Sequence, residues 1–155
     1  MKKSLLLALL STSLLAPQVV AQPASLTYGE DYTYTGEVHE VTTVQVAPNR
    51  VDHYLAGLAE SWVSGNEVAI EMGLMKDYKI YVSELANSGD FNVMLVSIYE
   101  SAAQRHRFED PDTYAEFEGR VEERLSEEES FEITEGYTRI RDIVGQYLMR
   151  EVELE

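Results

Sequence analysis

The chain has 155 residues, 45% of them hydrophobic, with no cysteine, 10 tyrosines and one tryptophan, and its 12 basic against 28 acidic residues leave a formal charge of −16. This is the length and composition of a single globular domain. The missing cysteine excludes a disulfide framework, a thiolate zinc site, a cysteine nucleophile and an iron–sulfur cluster. The charge excludes binding to a phosphate backbone or an anionic lipid surface by electrostatics, so no nucleic-acid partner is expected.

In chain order, Met1–Ala21 has Lys2 and Lys3, an apolar stretch from Leu5 to Leu15 and small residues ending at Ala21. These are the parts of a signal peptide, and Pro17 and Gln18 end the apolar core too early for a spanning helix. The expectation is an exported protein, periplasmic or secreted, with no membrane attachment after cleavage. Removal leaves 10 basic and 28 acidic residues, a charge of −18. Residues 22–36 (QPASLTYGEDYTYTG) read as an extended leader with an edge-strand piece at Tyr28, Tyr32 and Tyr34.

Val38–Val46 is β-branched and bounded by Gly36 and Pro48, which predicts the first strand. From Val51 to Met72 the residues Val51, Tyr54, Leu55, Leu58, Trp62, Ala69 and Met72 fall within about 60° of one line at 100° per residue, which predicts one long amphipathic helix. Asn49 is its expected N-cap, Gly73-Leu74 its Schellman close, and Ser64-Gly65 the expected place for a kink. Tyr78–Leu85 and Phe91–Tyr99, joined by Asn87-Ser88-Gly89-Asp90, predict a β-hairpin. In the second of these strands one row holds Phe91, Val93, Leu95 and Tyr99, and the other Met94, Val96 and Ile98. Both rows are apolar, so something must cover each face.

Asp110-Pro111 predicts a second helix with a buried stripe of Tyr114, Phe117, Val121 and Leu125. The acid-rich run 126–135 reads as a fraying, solvated connection. A short third helix with Tyr137, Ile140, Ile143 and Val144 is expected to end at Gly145, and residues 146–155 (QYLMREVELE) to form the last strand.

The order βαββαβ over Glu37–Glu155 predicts a ferredoxin-like α+β fold, a four-stranded antiparallel sheet with helices on one face. The chain resembles the dimeric α+β barrel superfamily in the strand-to-helix passage Val46-Ala47-Pro48-Asn49-Arg50-Val51-Asp52-His53-Tyr54-Leu55 and in the closing Arg150-Glu151-Val152-Glu153-Leu154. The resemblance implies a homodimer closed through the free sheet faces, in an uncharacterised exported branch. The superfamily spans cofactor-free monooxygenases, haem-handling enzymes and small-molecule isomerases, so fold alone selects no activity.

Candidate chemistry is sparse. There is no GxSxG elbow, phosphate-binding glycine loop, GxGxxG or EF-hand loop, and no cofactor or metal is assigned. His39-Glu40 opens like a zincin motif, but Thr43 stands where the second histidine belongs. Glu127-Glu128-Glu129 diverge on a helix and read as a solvated face. His53 falls about 200° from the apolar stripe and belongs to the surface. Trp62, Tyr81, Tyr99 and His39 are the candidates for lining a ligand pocket, with Tyr81 and Tyr99 expected to face one space and Trp62 to serve mainly as core. Arg105-His106-Arg107 concentrates the positive charge and is the candidate anion site, unless these bases pair with Glu109, Asp110 and Asp112. The leading reading is an exported homodimer that binds a small molecule or a partner. Alternatives are a cofactor-free oxygenase or isomerase using His39, Tyr81 or Tyr99, and a structural envelope protein.

Overall fold

The computed structural model describes residues 25–85 and 89–155; the expected signal peptide, and Asn87 and Ser88 of the expected hairpin turn, lie outside them. Its elements are β1 Tyr32–Tyr34, β2 Val38–Val46, α1 Val51–Glu60, α2 Trp62–Glu71, β3 Asp77–Val82, β4 Val93–Tyr99, α3 Ala102–His106, a single 3-10 turn Arg107–Glu109, α4 Pro111–Glu122, α5 Glu127–Thr138, β5 Arg141–Met149 and β6 Val152–Leu154. The main sheet runs β3-β4-β2-β5, antiparallel throughout, and β1 pairs with β6 in a separate ribbon. With two long connections on one side of this strand order, the architecture is the expected ferredoxin-like α+β fold.

The first strand has the predicted bounds, but the long helix is two. Ser61, at φ −105° and ψ −76°, separates α1 from α2. Its hydroxyl donates back to the Gly57 carbonyl at 2.9 Å and pairs with the Tyr137 hydroxyl at 2.5 Å. A serine bonded four residues back in its own helix bends it, and here a second helix supplies the reason to stay bent. The bend is therefore at Ser61, not at Ser64-Gly65. The tightest helical glycine is Gly57, where a Cβ would stand 2.6 Å from Cε1 of the Tyr137 side chain. Arg50, not Asn49, is the N-cap, and Asn49 takes a positive φ of 62° in the turn before it. The close at Gly73 is as expected: Leu74 N–H donates to Ala69 O at 2.8 Å and Gly73 N–H to Ile70 O at 2.9 Å, with φ +65° at Gly73.

The hairpin of β3 and β4 forms with shorter strands than the sequence suggests. Just before β4, the Asn92 backbone still donates to Val44 O at 3.1 Å and accepts from Ser83 N–H at 2.9 Å, while its side-chain amide takes both polar groups of Val46, accepting from its N–H and donating to its carbonyl at 2.8 Å each. The C-terminal third departs most from expectation. The acidic run is a helix, α5, opened by a reciprocal capping box of Ser126 and Glu129. Three glutamates in its first turn lie where the helix dipole favours negative charge. Ile143, Val144 and Gly145 then belong to an edge strand, not to a helix. A register shift opposite Thr43 and Val44 admits one extra residue there.

Two cores lie between the sheet and the helices. One joins Val44, Val46, Val93 and Leu95 to Tyr54, Leu58 and Tyr137; the other joins Val38 and Tyr99 to Ala69, Leu74 and Met75. The expected stripe of α4 is only partly buried, and Tyr114 remains 44% exposed. A third cluster, Val41, Val96 and Ile98 with Met94 against it, lies on the sheet face that carries no helix among the described residues.

Candidate functional site

Strand pairing sorts the candidates onto two faces. Register places His39, Val41 and Thr43 of β2 beside Ile98, Val96 and Met94 of β4, with Lys79 and Tyr81 outside on β3 and Met149, Tyr147 and Gly145 outside on β5. This is the open face. Val41, Val96 and Ile98 are buried at its centre, while Tyr81, Tyr147 and Met149 are each about half exposed around them.

On the helix side, Glu40 lies in the same row as Val38, Thr42, Val44 and Val46. A carboxylate among inward-facing valines requires partners. Arg105, from α3, donates through Nε to Glu40 Oε1 at 2.6 Å, and the Tyr99 hydroxyl donates to Glu40 Oε2 at 3.0 Å. Burial first, and then the adjoining Glu40 charge, hold the Tyr99 hydroxyl well above its ordinary pKa, so it keeps its proton. The hydrogen bond to Glu40 strengthens the Arg105 cation in turn.

Three hollows meet around this cluster. One of about 300 Å³ is lined by Glu40, Thr42, Gln146 and Leu148. A second, about 280 Å³, is lined by Glu40, Tyr99, Arg105, Phe108 and Glu109. The third, about 420 Å³, lies beyond Arg105 between α3 and the end of β5, with Val38, Ala102, Ala103 and Leu148 as apolar lining and Arg105, His106 and Arg150 as basic lining.

The predicted residues divide accordingly. Tyr99 and Arg105 meet on the Glu40 carboxylate, an arrangement absent from the sequence-based expectation. Tyr81 and Tyr99 do not share a space: Tyr81 lies opposite Met94, whereas Tyr99 is in the row of Val93 and Leu95 on the other face. The bulk of a pleated strand separates them. Trp62 packs edge-on against Tyr78 with centroids 5.4 Å apart, as part of the helix layer. His39 is on the open face, 3.4 Å from Glu37, and Glu37 is also held by Lys76. His39 and Glu40 therefore point to opposite sides of the sheet, which excludes a shared metal. Among the described residues no group of three or more His, Asp or Glu side chains could hold an ion.

The Arg105-His106-Arg107 cluster is split. Arg105 pairs with Glu40 and, at 3.4 Å, with Glu109; His106 lies 3.0 Å from Glu109; Arg107 turns away and donates to the Gly73 carbonyl at 2.9 Å, at the C-terminal end of α2. Glu109 is an expected partner, whereas Asp110 caps α4 through the Thr113 N–H and pairs with none of the three bases. Sequence reasoning missed Glu40 and Arg150. A charge in a row of valines was the available signal for the first. Arg150 gave none, because its place depends on β1 pairing with β6.

No protein-family model matches the chain, and no curated protein matches it. Three solved structures are similar in outline. HapK from Hahella chejuensis has a TM-score of 0.43 at 6% identity, covering 74% of this chain and 91% of its own. A dimeric protein of unknown function and ferredoxin-like fold from Bacteroides fragilis scores 0.39 at 8% identity, covering 79% and 99%. A dimeric ferredoxin-like protein from an uncultured marine organism scores 0.41 at 11% identity, covering 78% and 90%.

Proposed function

We propose that the protein is exported and works as a homodimer whose two sheets close face to face, binding a small molecule or a partner without catalytic machinery of its own. The observation that carries this reading is the open sheet face. Valines and an isoleucine are buried at its centre, Tyr81, Tyr147 and Met149 lie half exposed around them, and no helix among the described residues covers it. An apolar surface of this kind marks an interface.

A second copy suits it better than an unrelated partner because the face is nearly neutral. Its charged residues are Asp77 and Lys79 on one edge strand and Asp142 on the other, with His39 and the mutually neutralising Glu37–Lys76 pair near one end. Two copies of a chain with 28 acidic residues can meet there without strong repulsion. Light scattering of the mature protein at micromolar concentration tests this, and a folded monomer would overturn it. Export is tested by N-terminal sequencing: a start near Gln22 supports it, and an intact Met1 on membrane-extracted protein refutes it.

One observation favours a cofactor-free oxygenase or isomerase as the second reading: Glu40, Tyr99 and Arg105 form a partly buried polar set beside open hollows. A Tyr99→Phe variant that still binds a compound but no longer turns it over would select this alternative.

A further inference from the structure

We infer that the hollow between α3 and the end of β5 binds a small carboxylate with an apolar body, its charge held by Arg150 and Arg105 and its chain laid against Val38, Ala102, Ala103 and Leu148. The inference rests on the ligand-binding half of the reading above and names the ligand class.

The first argument is the state of Arg150. Its Nη2 donates to the Thr35 carbonyl at 2.8 Å and its guanidinium lies 5.1 Å from the centroid of Tyr34, so the β1–β6 ribbon fixes its position. Yet no carboxylate among the described residues pairs with it. Arg107, on the Gly73 carbonyl, and Arg141, on Tyr54 and Tyr137, are also held without an acid, but Arg150 is the one of these three that lines the hollow beyond Arg105. The remaining N–H groups of Arg150 can take both oxygens of a carboxylate.

The second argument is the company it keeps. Arg105 and His106 line the same hollow. Arg105 uses Nε on Glu40 and Nη1 on Glu109, which leaves Nη2 uncommitted. Glu109 is also 3.0 Å from His106 and offsets part of that charge, so Arg150 is the principal anchor and Arg105 the second.

The third argument is size and surface. About 420 Å³ is within the range of small-molecule sites, and the aliphatic lining suits a hydrocarbon body rather than a bare inorganic anion. The net charge of −16 repels anions at long range, so selectivity must come from contact with this lining.

Calorimetric titration of the full protein with octanoate tests the inference, with octanol supplying the chain without the charge and acetate the charge without the chain. Saturable octanoate binding is expected, with octanol and acetate each weaker by about tenfold or more. Arg150→Gln should weaken octanoate by about tenfold or more, and Leu148→Asp should do the same by putting a like charge on the apolar wall of a residue that no core requires.

Octanoate that fails to saturate at millimolar concentration, or that binds both variants as it binds the parent, overturns the proposal. Octanol binding without octanoate binding overturns the ligand class and leaves the ligand-binding reading in place. Light scattering of the same samples reports the dimer separately: the hollow lies within one chain, so a monomer that binds octanoate through Arg150 refutes the dimer and supports the site.

Discussion

The two faces of strand β4 carry the same kind of residue and meet different fates. Val93, Leu95 and Tyr99 lie under the helices, where Tyr54, Leu58 and Tyr137 complete one core and Ala69, Leu74 and Met75 another. Met94, Val96 and Ile98 face away and, among the described residues, find only Val41 and the flanking side chains of their own sheet. An apolar row records that a face is to be buried, but not whether the chain's own helices or a second molecule will bury it.

The helix-covered face should be the more sensitive to truncation. Leu58 is 2% exposed and belongs to the core beneath α1, so Leu58→Ala is expected to lower unfolding free energy by about 2–5 kcal/mol, independent of protein concentration. Denaturant unfolding at two concentrations measures both properties. If the loss depends on concentration, the two faces are coupled and the contrast drawn between them fails.

On the open face the effect should be of the other kind. Val96→Lys places a charge at the centre of the proposed interface and should cost several kcal/mol of association, together with a smaller loss of monomer stability because Val96 is already buried within one chain. Sedimentation equilibrium with circular dichroism distinguishes this from unfolding. A variant that stays dimeric would move the interface elsewhere.

Gly57 sharpens the comparison from within the helix layer. Alanine normally improves a helix, but here its Cβ would stand 2.6 Å from the Tyr137 ring, so Gly57→Ala should destabilise by about 1–3 kcal/mol. A gain in melting temperature would show that α5 can give way, and that the covering of this face is looser than its contacts imply.

How much of this was legible depended on whether the signal was local. The first strand, the Schellman close at Gly73 and the β3–β4 hairpin were read correctly because β-branched runs, glycine and turn residues act over a few positions. The bend at Ser61 was not, because it depends on Tyr137, 76 residues away. The acidic run was misread for a different reason. Its glutamates suggest a solvated connection, whereas Ser126-x-x-Glu129 is a local start signal that was present and overlooked. Of the site, the sequence marks Arg105 as part of a basic cluster and names Glu109 among its possible partners, which the structure shows at 3.4 Å. Glu40 reaches Arg105 only through the fold, and Arg150 is held by Thr35, 115 residues away, just outside the ribbon of β1 and β6.

The same capping box allows the mildest test. Ser126 accepts from the Glu129 N–H at 3.3 Å, and the Glu129 carboxylate accepts from the Ser126 N–H at 3.1 Å and from its hydroxyl at 2.6 Å. Ser126→Ala should cost about 1 kcal/mol of unfolding free energy through loss of the N-cap. The Ser126 hydroxyl, and then its backbone N–H, hold the Glu129 carboxyl below its ordinary pKa. A lowered folded-state pKa contributes stability that is present above the ordinary glutamate value and lost as pH falls through the folded one. The variant should therefore lose part of this acid sensitivity as well, so that parent and variant curves draw closer at low pH, separated there by the loss of the N-cap bond. Because α5 contributes Tyr137 to the helix-covered core and nothing to the open row, the dimer dissociation constant should not move. A change in that constant together with stability would mean that the cover of one face sets the geometry of the other, and the sheet would then have to be treated as a single cooperative layer.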